Sequence, residues 1–145
     1  MKLTSDTVLQ GVADALRDQI APLIDDAFAA DATRMAQSLL NIVRLARDDE
    51  VAIRVEENCR IRDIFGQAAP VLGDGALGNR IAEAAQSRDP GLRISELDTE
   101  TGRLRDLLVE LHAYVEELTS DQARALDQAI WRALRDIDMP RAPRA

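Results

Sequence analysis

The sequence predicts an all-α protein, a helical bundle of five or six helices, and three observations carry that prediction. Apolar residues recur three and four positions apart along most of the chain, the spacing of one helix face. Ala, Leu and Arg are among the commonest residues, and with Glu and Gln they are good helix formers. The one strand-like alternation, Val51-Ala52-Ile53-Arg54-Val55, runs on into Cys59, Ile61, Ile64, Phe65 and Ala68 at helical spacing, so its length favours a helix.

Length and composition set the scale of the core. A chain of 145 residues is the size of one domain and buries roughly 68–70% of its unfolded surface. With 46% apolar residues it is not a disordered sequence. Aromatics are limited to Phe28, Phe65, Tyr114 and Trp131, so the core must be aliphatic. We expect one helical domain over residues 1–138 and a flexible tail over 139–145, because Pro140 and Pro143 cannot continue the last helix.

The elements follow in order. Thr4 or Ser5 caps a first helix, and Leu3 with Val8 forms a hydrophobic staple across a Thr4 cap. Val8, Val12, Leu16, Ile20, Leu23 and Ala27 continue it, but Pro22 lacks an N–H and predicts a kink or break near Ile20. Asp31 is the expected cap of a second helix carrying Met35, Leu39, Ile42, Val43 and Ala46 on one face. Asp48, Asp49 and Glu50 suit the positive end of a third helix, which runs to about Ala68. Pro70 to Gly78 reads as a loop, and a short helix follows with Leu77, Ile81, Ala84 and Ala85 inward.

Asp89-Pro90-Gly91 is a turn, and Ser95 with Asp98 resembles a capping box. The long helix behind it carries Leu97, Leu104, Leu107, Leu108, Leu111, Tyr114, Val115 and Leu118. The seven-residue spacing of Leu97, Leu104, Leu111 and Leu118 is a helix seam, and Leu108 and Val115 widen it, which puts this helix at the centre of its own bundle. Thr119 with Gln122 is a second capping-box pattern, opening a last helix with Leu126, Ile130, Ala133, Leu134 and Ile137.

Charge narrows the function. The net charge is −8, Lys2 is the sole lysine, and the arginines are interleaved with acids. Nucleic acid and anionic membrane both need clustered positive charge, so neither is an expected partner. No apolar run approaches the roughly 18 residues of a membrane span, the first residues contain no apolar leader, and Cys59 is the lone cysteine. A cytoplasmic location is the expectation.

Four stretches carry a family resemblance: the amphipathic run from Val8 to Pro22, Met35-Ala36-Gln37-Ser38-Leu39-Leu40-Asn41-Ile42-Val43-Arg44, Cys59-Arg60-Ile61-Arg62-Asp63-Ile64-Phe65-Gly66, and Gly73-Asp74-Gly75-Ala76-Leu77-Gly78-Asn79-Arg80-Ile81-Ala82. In order and spacing, about residues 5–90 resemble a small all-helical bacterial domain of unknown function. That domain is typically encoded beside aminoglycoside-phosphotransferase-like kinases and acyl-CoA dehydrogenases. The resemblance implies an accessory role near acyl-CoA or degradative metabolism, and no catalytic residues.

Individual motifs point away from catalysis and cofactors. Gly73-Asp74-Gly75-Ala76-Leu77-Gly78 matches the dinucleotide pattern GxGxxG, but a helix and not a core strand precedes it, so a glycine loop between helices is the reading and no cofactor is expected. A di-iron bundle needs two Glu-x-x-His motifs, whereas His112 is the sole histidine and has Val109 three residues before it; one Cys and one His also fail a structural zinc site. Cys59 is expected to face the core. His112 is expected to pair with Glu116 one turn on. Asn41 and Asn58, set among apolar positions, either fix helix register or, with His112, supply the polar groups of a small-molecule pocket.

Three functions follow in descending order. The first is a non-catalytic protein-interaction or accessory module, with Trp131, at a helix margin where it either packs on the core or anchors a contact, and Tyr114 as candidate interface residues and a second copy of the chain as the simplest partner. The second is a helical bundle binding a small apolar ligand, an acyl or aromatic metabolite. The third is an enzyme using Glu110, His112 and Glu116.

Overall fold

The computed structural model describes residues 3–139, and all regular structure among them is helical, as the sequence predicts. The described residues form six α-helices: α1 (Ser5–Ala15), α2 (Ala27–Ala46), α3 (Glu50–Leu72), α4 (Ala76–Gln86), α5 (Ile94–Glu116) and α6 (Asp121–Asp138). None is long and apolar enough to cross a membrane. The expected tail, 139–145, lies outside the described residues apart from Met139. The chain forms two compact units, Met1–Glu50 and Val51–Ala145.

In the first unit α1 packs on α2. Thr4 caps α1, its hydroxyl accepting from the Thr7 N–H at 3.2 Å. Leu3 and Val8, expected to staple this end, are both exposed. Pro22 acts as expected. The helix widens into a π-turn over Leu16–Ile20, where the Ala21 N–H reaches back to the Leu16 carbonyl, then tightens into a 3₁₀ turn over Ala21–Leu23 and breaks at the extended Ile24. A proline lacks the N–H that would continue the α ladder, so the break follows from Pro22 itself.

The cap of α2 is Asp26 and not Asp31. Asp26 has extended backbone angles and its Oδ1 accepts from the Ala29 N–H at 2.8 Å. Ala27, Ala29 and Ala30 are strong helix formers and let the helix start a turn earlier. Asp31 sits inside it, paired with Arg34. Arg44 ties α2 to α1 through Asp6 at 3.2 Å. Ala13 is the one fully buried residue of this unit among those described.

The second unit holds the core. Ile61, Ile64, Phe65 and Ala68 of α3 pack with Ile81 and Ala84 of α4 and with Ala123, Leu126, Ile130 and Ile137 of α6. Leu104, Leu107, Leu108, Leu111 and Val115 of α5 complete the cluster. Leu97, Leu104 and Leu111 are fully buried and Leu118 is half-buried, as the seam on α5 requires. α3 ends at Leu72, four residues beyond the expected end, with Pro70 inside its last turn, so the loop expected over Pro70 to Gly78 shrinks to residues 73–75. Gly73 ends the helix at φ +64°, and a Cβ on Gly78 would meet the Gly73 carbonyl oxygen at 2.2 Å. The GxGxxG pattern therefore builds a helix–helix turn, with one glycine for a left-handed conformation and one for close approach.

Two caps fall elsewhere than expected. α5 starts at Ile94 after Arg93, with Ser95 inside its first turn and Asp98 paired with Arg54. α6 is capped by Ser120, whose hydroxyl accepts from the Ala123 N–H at 3.1 Å, one residue after Thr119. Cys59 is exposed and does not face the core. The core face of α3 takes Asn58, Ile61, Arg62 and Phe65, and that places position 59 on the outside of the helix.

Candidate functional site

The most unusual surface of the molecule is one face of α2. Phe28, Ala32, Met35, Leu39, Ile42 and Ala46 alternate at spacings of four and three, the a and d positions of a heptad repeat. All six are exposed: Phe28 at 83%, Met35 at 65%, Leu39 at 56% and Ile42 at 60%. Val43, beside the stripe, is also more than half exposed, as are the neighbouring faces of Val8 and Val12 on α1 to nearly half.

The opposite side of α2 carries Thr33, Gln37, Asn41 and Arg44 beside Ala30 and Leu40, and that mostly polar side is the half-buried one. The sequence correctly groups Met35, Leu39, Ile42, Val43 and Ala46 on one face. That face, however, points to solvent. A helix that turns its mostly polar side inward and leaves an apolar seam exposed departs from the usual amphipathic arrangement.

In the second unit a buried polar network links α3, α5 and the turn between α4 and α5. Asn58 is fully buried, donating from Nδ2 to Asp89 at 2.9 Å, while its Oδ1 accepts from the Thr101 hydroxyl at 2.8 Å. The Arg62 guanidinium donates to Asp89 at 2.8 Å, to Glu100 at 2.7 Å and to Ser87 at 3.0 Å. Arg103 adds two bonds to Glu100, at 2.9 and 2.8 Å. The hydrogen bonds from Arg103, with those from Arg62, hold the Glu100 carboxyl below the usual carboxylate range against the opposing effect of burial. Every charged member has a partner, the condition under which a buried network rigidifies a core.

His112 lies where α5 meets α6. Its Nε2 is 2.9 Å from Asp127 Oδ1 and 3.8 Å from Glu116, and its ring meets Trp131 edge-on with centroids 5.1 Å apart. The expected Glu116 partner is present but more distant than Asp127. One ring nitrogen and two carboxylate oxygens lie within 4.8 Å of one another, a set able to hold a cation, though the His112–Asp127 hydrogen bond already uses two of them. Glu110 goes elsewhere, donating nothing and accepting from Arg80 at 2.6 and 3.0 Å; Arg80 lowers its carboxyl below the ordinary value. Glu110 and His112 thus share no partner.

The remaining candidates are separate from one another. Asn41 is half-buried in the first unit, while Asn58 and His112 are in the second with different partners. Trp131 is 56% exposed and Tyr114 is partly exposed. An open groove of about 540 Å³ runs between α4 and α5, with Ala84 and Leu107 as floor and Arg80, Glu83, Asp106 and Glu110 among its walls. Its lining is charged rather than apolar. Asp127, Arg62, Asp89 and Glu100 escaped the reading of the sequence, because each meets its partner across at least 15 residues of chain.

The fold and surface define a helical protein with a formed core in one unit and an apolar seam on the other. Comparison with protein families, with characterised proteins and with solved structures finds no match to this chain.

Proposed function

We propose that this protein is a non-catalytic interaction module that docks through the apolar seam of α2. The seam itself carries the reading: six a and d positions in register, all exposed, on a helix whose polar side is half-buried. Such a face costs solvation until another surface covers it. Glu110 is engaged by Arg80 and stands apart from His112, which pairs with Asp127. The resemblance of residues 5–90 to a domain encoded beside kinase-like and acyl-CoA dehydrogenase genes supports an accessory role in acyl-CoA or degradative metabolism. Trp131, 56% exposed, offers a second, smaller point of contact.

A photo-crosslinking amino acid at position 35, in the middle of the seam, tests this inside cells. The matched control is position 109, where Val109 is equally exposed on α5. The expected result is a discrete covalent adduct from position 35, identified by mass spectrometry, and none from 109. Equal, diffuse labelling from both positions would refute the role of α2. The same probe at position 131 measures the contribution of the tryptophan surface.

A further inference from the structure

We propose that the occupant of the seam is α2 of a second copy of this chain, paired antiparallel about a two-fold axis at the level of Gln37. This rests on the reading of α2 as the docking surface and adds the identity and register of the partner.

The size pattern along the seam selects that register. With the axis at residue 37, Phe28 meets the partner's Ala46, Ala32 meets the partner's Ile42, and Met35 meets the partner's Leu39. Each layer pairs an a position with a d position, as antiparallel helices require, and in the outer layers a large side chain faces an alanine. Volumes are thus evenly filled along the whole contact. A parallel pairing in register stacks Ala32 on Ala32, Ala46 on Ala46 and Phe28 on Phe28, leaving gaps at some layers and crowding at another.

Charge permits the same arrangement. The chain carries −8, so two copies repel at long range. Yet the positions flanking the seam are Ala29, Ala36 and Val43 on one side and Asp31, Ser38 and Leu45 on the other. In the antiparallel register Asp31 falls near the partner's Leu45 and Ser38 near its own counterpart, so no like charges face each other. Covering the exposed parts of these side chains on both copies removes on the order of 1,000 Å² from water, the scale at which a specific interface begins. The first unit also has reason to gain a partner, since Ala13 alone is fully buried among its described residues. Two α1–α2 hairpins joined this way form a four-helix arrangement with a shared core.

The test uses the full chain with Cys59→Ser, because Cys59 is exposed and would cross-link indiscriminately. Sedimentation velocity from low micromolar to a few hundred micromolar should show a monomer–dimer equilibrium. Leu39→Glu with Ile42→Glu should weaken it by at least about a hundredfold, the effect of burying unpaired charge in the seam. A mixture of Phe28→Cys chains and Ala46→Cys chains should form disulfide-linked heterodimers far faster than either variant alone, a readout that puts no charge into the seam. If each variant cross-links to itself as fast as the mixture does, the antiparallel register is wrong. A chain that stays monomeric throughout overturns self-pairing, and an adduct with a different protein at position 35 would then leave the broader docking role intact.

Discussion

Replacing Arg62 with alanine should destabilise the second unit by about 3 kcal/mol. Removal of one member of a buried ion pair costs about 3–5 kcal/mol, mainly because the other charge is left buried and unpaired. Here the low end applies, since both carboxylates keep other donors. Asp89 retains the Asn58 amide at 2.9 Å, and Glu100 retains Arg103 at 2.9 and 2.8 Å. Ser87 loses one bond from Arg62 and keeps its own bond to the Ala84 carbonyl at 2.7 Å. Trp131 is the sole tryptophan and belongs to the second unit, so its fluorescence in urea reports that unit.

The pH dependence follows from Glu100, whose carboxyl is held below the usual range by Arg103 and Arg62. A depressed carboxylate contributes stability above its unfolded value, near 4.3 for a typical Glu, and that contribution is lost as pH falls through the folded value. The gap between the natural chain and Arg62→Ala should therefore be widest near neutrality and narrow below about pH 4. A loss under about 1 kcal/mol, or a gap that does not change with pH, would show that the network is not holding α3 to α5.

Other substitutions follow from the packing. Leu111→Ala removes a fully buried side chain at the centre of α5 and should cost about 2–5 kcal/mol in the same fluorescence assay. Gly78→Ala should destabilise by about 1–3 kcal/mol, because its Cβ meets the Gly73 carbonyl oxygen at 2.2 Å; Gly66→Ala, with open space around it on a helix, should be neutral or stabilising by up to about 1 kcal/mol. Cys59 should react fully with a thiol reagent in the folded protein, without any change in the far-UV circular dichroism. Self-association should hold or strengthen as salt rises, since salt screens the repulsion between two chains of charge −8 and leaves an apolar seam intact; a fall with salt would point to ion pairs as the driving force.

What the sequence made legible was local in origin. Helical period, the Pro22 break, the Thr4 cap and the buried Leu97–Leu104–Leu111 row all depend on residues within a few positions of one another, and all stand in the structure. The glycine turn was legible too, because Gly73 and Gly78 answer to backbone geometry that side chains elsewhere do not alter. Helix starts were less so: Asp26 and Asp31 are equally good caps by chemistry, and the alanines between them decide the outcome.

Sidedness was hidden for a different reason. Periodicity shows that Met35, Leu39 and Ile42 share a face, yet it does not say whether that face meets this chain or another molecule. For Cys59 the same ambiguity misled, because two overlapping stripes on α3 fit the sequence and the structure uses the one through Asn58, Ile61 and Arg62. Of the polar network around Arg62, only Asn58 stood out in the sequence, as an amide among apolar positions. The partners of Arg62 lie 25 to 38 residues from it along the chain, and only folding brings their charges together.

Docking through α2 requires that its seam be covered in solution. Amide hydrogen exchange of Ala27–Ala46, measured at low and at high protein concentration, tests this most directly. Covered by a second copy, these amides should exchange more slowly as concentration rises, while those of α5 keep the same protection at both. Exchange in α2 that is equally fast at both concentrations would contradict the pairing.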